Sequence, residues 1–455
     1  MSGRKDDRVN IATSISRAWV NPALRGMAGV FALRITITAL SFALITLAAR
    51  TMSLSAFGSY SILFSAAGLF CIVATVGQQV LVMRSWNEYS ASRQTGLLKG
   101  ALIFASLVSG LGSVLVAVPF YLWFAASHGS LVALSVTLYL VALSVLLTTS
   151  HLVRTAIGVG IGDGIGNLSL TVPPTIYLVW MLATGTVAQL DIIFSLMAGG
   201  AVACIVWHAV SMARLIRQNY PEFTATPAVF DMPSWRSRSL KLWLSNGLEA
   251  SNQYLDVLIV GALMSPGVAG AYFVTSRLAN AFAMATDAIH MFSTRHIPDL
   301  YYRKKFGELG ALLDHVSGVT LLVIVAGMAA VIGAGHWMLL VFSEAYVPYY
   351  SALVTLSFGM AAVAASGPSG SILMLTGHES RYLGIIGGSV ALRVIGFAVL
   401  IPMFGVMGAA MATTLSFVFM ALMLAVSAKT MTGIDGSVAR LRDMFWRRPA
   451  AVGPN

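Results

Sequence analysis

Charge is what this sequence has least of. Only 10% of its 455 residues are Asp, Glu, Lys or Arg, and carboxylates are the scarcer kind, 17 against 28 basic side chains. Soluble domains carry about 25% charged residues, so a water-exposed surface of the usual kind is excluded. Cysteine is nearly absent as well: Cys71 and Cys204 both fall in apolar runs, which gives no support to a disulfide framework or a thiolate metal site. There is no HExxH and no Walker lysine after a glycine loop, and the eight histidines do not cluster at ligand spacing. The glycine run "GVGIGDGIG" at 158–166 fits GxGxxG in no register and follows no strand, so it reads as close helix packing at a cytoplasmic entrance. ATP-driven pumping and redox catalysis lack their residues; no catalytic group, metal or cofactor is expected.

What the sequence does have is apolar length. The chain is 57% hydrophobic, its mean hydropathy is +0.82, and runs of about 20 apolar residues, the length that crosses a bilayer as helix, recur from end to end. The expected class is an all-α polytopic membrane protein. Twelve spans are expected, near 27–49, 57–83, 97–122, 131–153, 165–184, 190–212, 240–263, 267–292, 312–334, 350–375, 382–402 and 405–428. The first follows a charged head and is too long for a signal-peptide core.

The basic residues test this count. With the N-terminus in the cytoplasm, Arg4, Lys5, Arg8, Arg17, Arg25, Arg84, Arg93, Arg154, Arg214, Arg217, Arg236 and Arg238 fall inside. So do Arg303, Lys304, Lys305, Arg381, Arg440, Arg442, Arg447 and Arg448, whereas only Arg50 falls outside. That asymmetry supports an even number of spans with both ends cytoplasmic. It also turns the basic pI of about 9.8 toward the membrane and away from nucleic acid. The Pro-interrupted stretch 214–239 separates two six-helix lobes, 1–213 and 240–428, with a basic cytoplasmic tail at 429–455 whose default partner is the anionic inner leaflet, or alternatively other proteins. Weak self-similarity links the halves: "AFGSYSI" at 56–62 answers "VAGAYFV" at 268–274. Six spans per repeat implies parallel repeats, a pseudo-two-fold along the membrane normal, and a substrate site at the interface of the halves.

Charges inside spans are costly, about 2.5–3.5 kcal/mol each on insertion scales, and mark function or pairing. Asn246, Glu249, Gln253 and Asp256 form one stripe at helical spacing; Arg277, Asn280 and Asp287 form another, and Arg34, Thr38 and Ser41 a third. Arg393 is a further intramembrane cation. A hairpin turning near residue 265 sets Arg277 level with residues 253 and 254, so an Arg277 pair with Glu249 or Asp256 is one structural reading, and a hydrated cavity of mixed sign is the other.

The segments "AFGSYSILFSAAGLFCIVATVGQQVLVMR" at 56–84, "YLDVLIVGALMSPGVAGAYFVTSRLANAF" at 254–282, "IPDLY" at 297–301 and "IPMFGVMGAAMATTLS" at 401–416 resemble the polysaccharide-transporter family. This family belongs to the multidrug/oligosaccharidyl-lipid/polysaccharide exporter superfamily and includes the O-antigen-type lipid-linked oligosaccharide flippases. The resemblance implies two lobes of six helices around a central cavity. It implies movement of an undecaprenyl-pyrophosphate-linked oligosaccharide across a bacterial inner membrane by alternating access. On that reading Arg34 and Arg277, with Arg393, bind the pyrophosphate through their planar forks. Asn246, Gln253, Gln78 and Gln79 hydrogen-bond sugars, and Glu249, Asp256 or Asp287 couple transport to protons or sodium. The alternatives are a cation-coupled multidrug exporter of the same superfamily and, from another class, a membrane glycan polymerase or ligase; the very short outer loops weigh against the second.

Overall fold

The computed structural model describes residues 22–442, and within them every regular element is helical. In chain order the α-helices are α1 Pro22–Thr51, α2 Leu54–Thr75, α3 Gln78–Ala91, α4 Thr95–His128, α5 Ser130–Ala156, α6 Ile165–Thr184, α7 Leu190–Asn219, α8 Met232–Leu263, α9 Pro266–Tyr302, α10 Phe306–Leu340, α11 Tyr350–Ala365, α12 Ser369–Leu375 and α13 Glu379–Thr432. Among the described residues nine helical stretches are long and apolar enough to cross a membrane. Two further crossings, α8 and α9, have the length but fall short in hydropathy because they carry the polar stripes. The α13 stretch supplies two, since its backbone reverses at Gly405 (φ 59°, ψ −136°), a conformation open to glycine. These give the twelve expected crossings. Arg4, Lys5, Arg8, Arg17, Arg447 and Arg448 lie outside the described residues.

The second expected span differs. The helix stops at Thr75, Val76 and Gly77 take positive φ (50° and 75°), and a new helix starts at Gln78. The freed Val76 carbonyl accepts hydrogen bonds from Ser239 Oγ (2.5 Å) and Gln78 Nε2 (3.3 Å). Hydropathy sees only that both pieces are apolar, which is why 57–83 reads as one span.

The contacts group the chain into two compact units. Among the described residues, one holds 22–45, 74–183 and 191–239; the other holds 46–73, 184–190 and 240–442. This grouping departs from a division at 214–239, because 46–73 belongs with the C-terminal helices. In the first unit α4 packs on α5, and α3 on both. The glycine run at 158–166 includes a π-helical turn, Gly160–Gly164, held by an Arg154–Asp163 ion pair (3.1 Å), with Gly162 against the α5 backbone. An exposed apolar stripe on α4 that includes Leu107, Leu111, Leu115 and Leu122 suits lipid.

In the second unit α9, α10 and α11 pack mutually, and α11 and α12 pack on α13. Helix α2 joins them through small residues. The Gly270 position is so close to Gly58 that a Cβ there would lie 2.9 Å from the Gly58 Cα, and a Cβ on Gly58 would overlap the Pro266 carbonyl. Gly58 and Gly270 are equivalent positions of the two self-similar motifs, so the internal repeat meets itself at this contact. Small residues let helix backbones approach where lipid provides no hydrophobic drive.

After α13 the chain turns at Gly433 and folds back. Val438 N–H donates to the Ala365 carbonyl (2.9 Å), and Arg440 binds Asp314 (2.6 Å) and the carbonyls of Asp435 and Gly310. Arg440 is thereby committed to the protein and is not a free leaflet-binding charge. Burial opposes ionisation of Asp435, but the Ser437 hydroxyl and N–H and the Lys429 ammonium outweigh it and hold its carboxyl below the usual range.

Two outcomes follow from these contacts. Gly58→Ala destabilises the detergent-solubilised protein by about 1–3 kcal/mol or more through overpacking, whereas Gly318→Ala, where an added methyl meets open space, is neutral or stabilising; thermal aggregation curves separate the two. A carboxylate with a depressed folded value contributes stability that is full above its unfolded value and is lost as pH falls through the folded one. Protection of the Ser437 and Val438 amides from hydrogen exchange therefore falls on acidification below the ordinary carboxylate range, and Asp435→Asn removes that dependence.

Candidate functional site

The second unit contains a cavity of about 50 Å³ lined in part by Asn252, Gln253, Asp256, Ser276, Arg277 and Asn280. It has room for roughly one to three waters. Its polar lining exists because α8 and α9 form a hairpin about Ser265, whose hydroxyl caps α9 at Val268 N–H (3.4 Å). Asn252, Gln253 and Asp256 of α8 and Ser276, Arg277 and Asn280 of α9 face the cavity.

The chemistry centres on Asp256. Its Oδ1 accepts from Arg393 Nη1 at 3.1 Å; its Oδ2 accepts from Thr413 Oγ1 at 2.9 Å and from the Tyr272 hydroxyl at 3.2 Å. Tyr272 and Thr413 are also 2.8 Å apart, so two hydroxyl hydrogens serve three contacts. Arg393 spreads its remaining donors over Ser416 Oγ (2.8 Å), Asn252 Oδ1 (2.9 Å) and the Asn252 carbonyl (3.4 Å), and its guanidinium lies 4.4 Å from the Phe417 ring centre. Arg393 is 0% exposed and Asp256 8%. Such a pair survives burial only with satisfied hydrogen bonds on both sides, which this network supplies.

Arg277 pairs with neither Glu249 nor Asp256. Its register is as the hairpin geometry implies, beside Tyr254, but among the described residues it makes no ion pair. The reason is azimuth: Asp256 turns toward α13, and its partner, Arg393, is 137 residues away in sequence. Arg277 instead lies 4.9 Å from the Phe273 ring centre, close to the Tyr60 and Tyr254 hydroxyls, and is half-buried. Gln253 lines the same cavity; Glu249 is exposed on α8; Asn246 is half-buried with its Nδ2 lacking a hydrogen-bond partner. The Asp287 side chain lies outside the described residues.

Arg34, Gln78 and Gln79 belong to the first unit. Arg34 is exposed on α1. Gln78 donates to Ser239 Oγ at 2.6 Å and secures the break between α2 and α3. Both glutamines are buried, and their Oε1 atoms have no hydrogen-bond partner. Sequence reading missed Asn252, Tyr272, Thr413 and Ser416. Thr413 and Ser416 stand at a helical spacing of three in an apolar helix, and that is the one signal that pointed to them.

Removing one member of the buried pair strands the other. Arg393→Ala is expected to cost about 3–5 kcal/mol, against about 1 kcal/mol for Tyr272→Phe, which deletes one hydrogen bond; thermal unfolding in detergent gives the ranking.

No family model matches the chain, and no curated protein matches it in sequence. Solved structures do match in fold. A multidrug resistance MATE family transporter of the MOP superfamily, in an inward-facing conformation, aligns with a TM-score of 0.69 at 10% identity, covering 90% of this chain and 98% of its own. The lipid II flippase MurJ in an inward closed conformation aligns with a TM-score of 0.57 at 13% identity, covering 92% and 94%. A MOP superfamily transporter from Pyrococcus furiosus, described as having a binding pocket of reversed polarity, aligns with a TM-score of 0.61 at 10% identity, covering 88% and 93%. The chain is an all-helical, multi-pass membrane protein with the fold of MOP superfamily transporters.

Proposed function

We propose that the protein is a flippase that moves an anionic, polyprenyl-pyrophosphate-linked oligosaccharide across a bacterial inner membrane by alternating access, with both termini in the cytoplasm. The observation that carries this reading is Arg277. It is a half-buried guanidinium facing a cavity, and the carboxylate nearest in the cavity lining, Asp256, is already bound by Arg393. A half-buried cation with no ion pair among the described residues favours an anionic ligand, and a guanidinium grips phosphate oxygens in pairs. Arg277 is given the pyrophosphate; Gln253 and Asn246 are given sugar hydroxyls. Glu249 and Asp287 are the carboxylates left for coupling to an ion gradient.

The fold suits a lipid-substrate flippase and a multidrug exporter alike. An unmatched carboxylate in the cavity would favour a cationic drug, and Asp256 is matched; this observation favours the flippase over the drug exporter.

The test is translocation of a short-chain polyprenyl-pyrophosphate oligosaccharide in proteoliposomes. Arg277→Ala is expected to lower the rate about tenfold or more, the loss of a charge-assisted contact worth about 1.5–3 kcal/mol. No translocation by the unmodified protein, together with export of a cationic dye, would move the assignment to the drug exporter. Glu249→Gln with Asp287→Asn abolishes dependence on an imposed ion gradient if either acid couples transport.

A further inference from the structure

The hydrogen-bond acceptors around the Arg393 guanidinium are all oxygens: the Asp256 carboxylate, the Asn252 amide and backbone carbonyls, and the Ser416 hydroxyl, at 2.8–3.4 Å from its nitrogens. A carboxylate with carbonyl and hydroxyl oxygens is the donor set that hard metal cations take. Here the chain fills it with a permanent cation of its own, clamped beneath Phe417 and sealed from solvent. The pair is neutral as a unit. The charge left facing the cavity is that of Arg277, surrounded by the uncharged Asn252, Gln253, Ser276 and Asn280.

We infer that Arg393 is the residue that sets the sign of this pocket: it takes the cation place at Asp256, so that Asp256 binds no ion from the medium and the pocket selects anionic headgroups through Arg277. Arg393 is a positioning residue here and does not itself touch the headgroup. The anion-selective half rests on the proposed flippase reading; the cation half does not.

Two sets of variants test it. For the anion half, binding of farnesyl pyrophosphate is measured for the unmodified protein, Arg393→Gln, and the neutral double variant Asp256→Asn/Arg393→Gln. Arg393→Gln exposes the Asp256 charge beside Arg277 and is expected to weaken binding at least tenfold; the double variant, with neither charge, recovers to within about threefold. A double variant as weak as Arg393→Gln would mean that Arg393 grips the headgroup directly, and would overturn the inference.

For the cation half, thermal stability in sodium chloride is compared with that in choline chloride for Arg277→Gln and for Arg277→Gln/Arg393→Gln. The second leaves Asp256 without any arginine, and sodium is expected to stabilise it by several degrees; Arg277→Gln alone shows no difference between the salts. The inference falls if sodium has no effect on the double variant, or if Arg277→Gln alone responds to sodium and Asp256→Asn abolishes the response. If the unmodified protein does not bind farnesyl pyrophosphate, the flippase reading fails while the sodium comparison still decides whether Arg393 stands in for a cation.

Discussion

A charge placed among apolar helices has to be matched, and the second unit is arranged around one such match. Desolvating a carboxylate and a guanidinium costs several kcal/mol each even after relaxation. Asp256 and Arg393 meet that cost by attracting each other and by drawing hydrogen bonds from α8, α9 and both limbs of α13. No single helix supplies the network. Tyr272 reaches it from α9, Asn252 from α8, Thr413 and Ser416 from beyond the Gly405 reversal. The pair therefore fixes the azimuth of four crossings at once, including the faces that Gln253 and Arg277 present to the cavity.

That arrangement needs helices at close range, and small residues provide the range. Where Gly58 meets Gly270 and Pro266 there is no space for a methyl group, and a Cβ on Gly68 would lie 2.7 Å from the Tyr254 ring. Close backbone approach brings Tyr60 of α2 and Tyr254 of α8 to the flank of Arg277. Aromatic and hydroxyl groups of this kind soften the burial of a cation without neutralising it. The α2 contact thus contributes to the electrostatics of a site whose polar residues are on other helices.

Much of the fold was legible in the sequence because hydropathy and basic-residue asymmetry act locally and additively. The crossings, the Gly405 reversal and the α8–α9 hairpin all come from runs, glycines and prolines read in order. The break at Val76 and Gly77 was not legible, since it depends on Ser239, 163 positions away, to satisfy the Val76 carbonyl. Of the candidate site, Arg277, Gln253 and Asp256 were brought to one cavity as their stripes suggested. The partner of Asp256 was not, because helical periodicity gives a residue's height along a hairpin more firmly than the third helix its side chain will meet. Gln78 reads two ways for a related reason: a polar residue in an apolar run marks a need for hydrogen bonds, and a helix break creates that need as readily as a substrate does.

The same logic bears on how the chain divides its few charges. Of the three intramembrane arginines, one is exposed on α1, one is sealed against a carboxylate, and one faces a cavity over an aromatic ring. Had Arg277 taken Asp256, the pair would have been neutral and Arg393 would have remained buried on α13, with no cavity in front of it to admit a counter-ion. Pairing the inaccessible arginine and leaving the accessible one unmatched is the only one of the two arrangements that lets an anion from outside complete the electrostatics. Stability and anion selectivity are then served by one choice of partner, made by the face of α8 on which Asp256 lies.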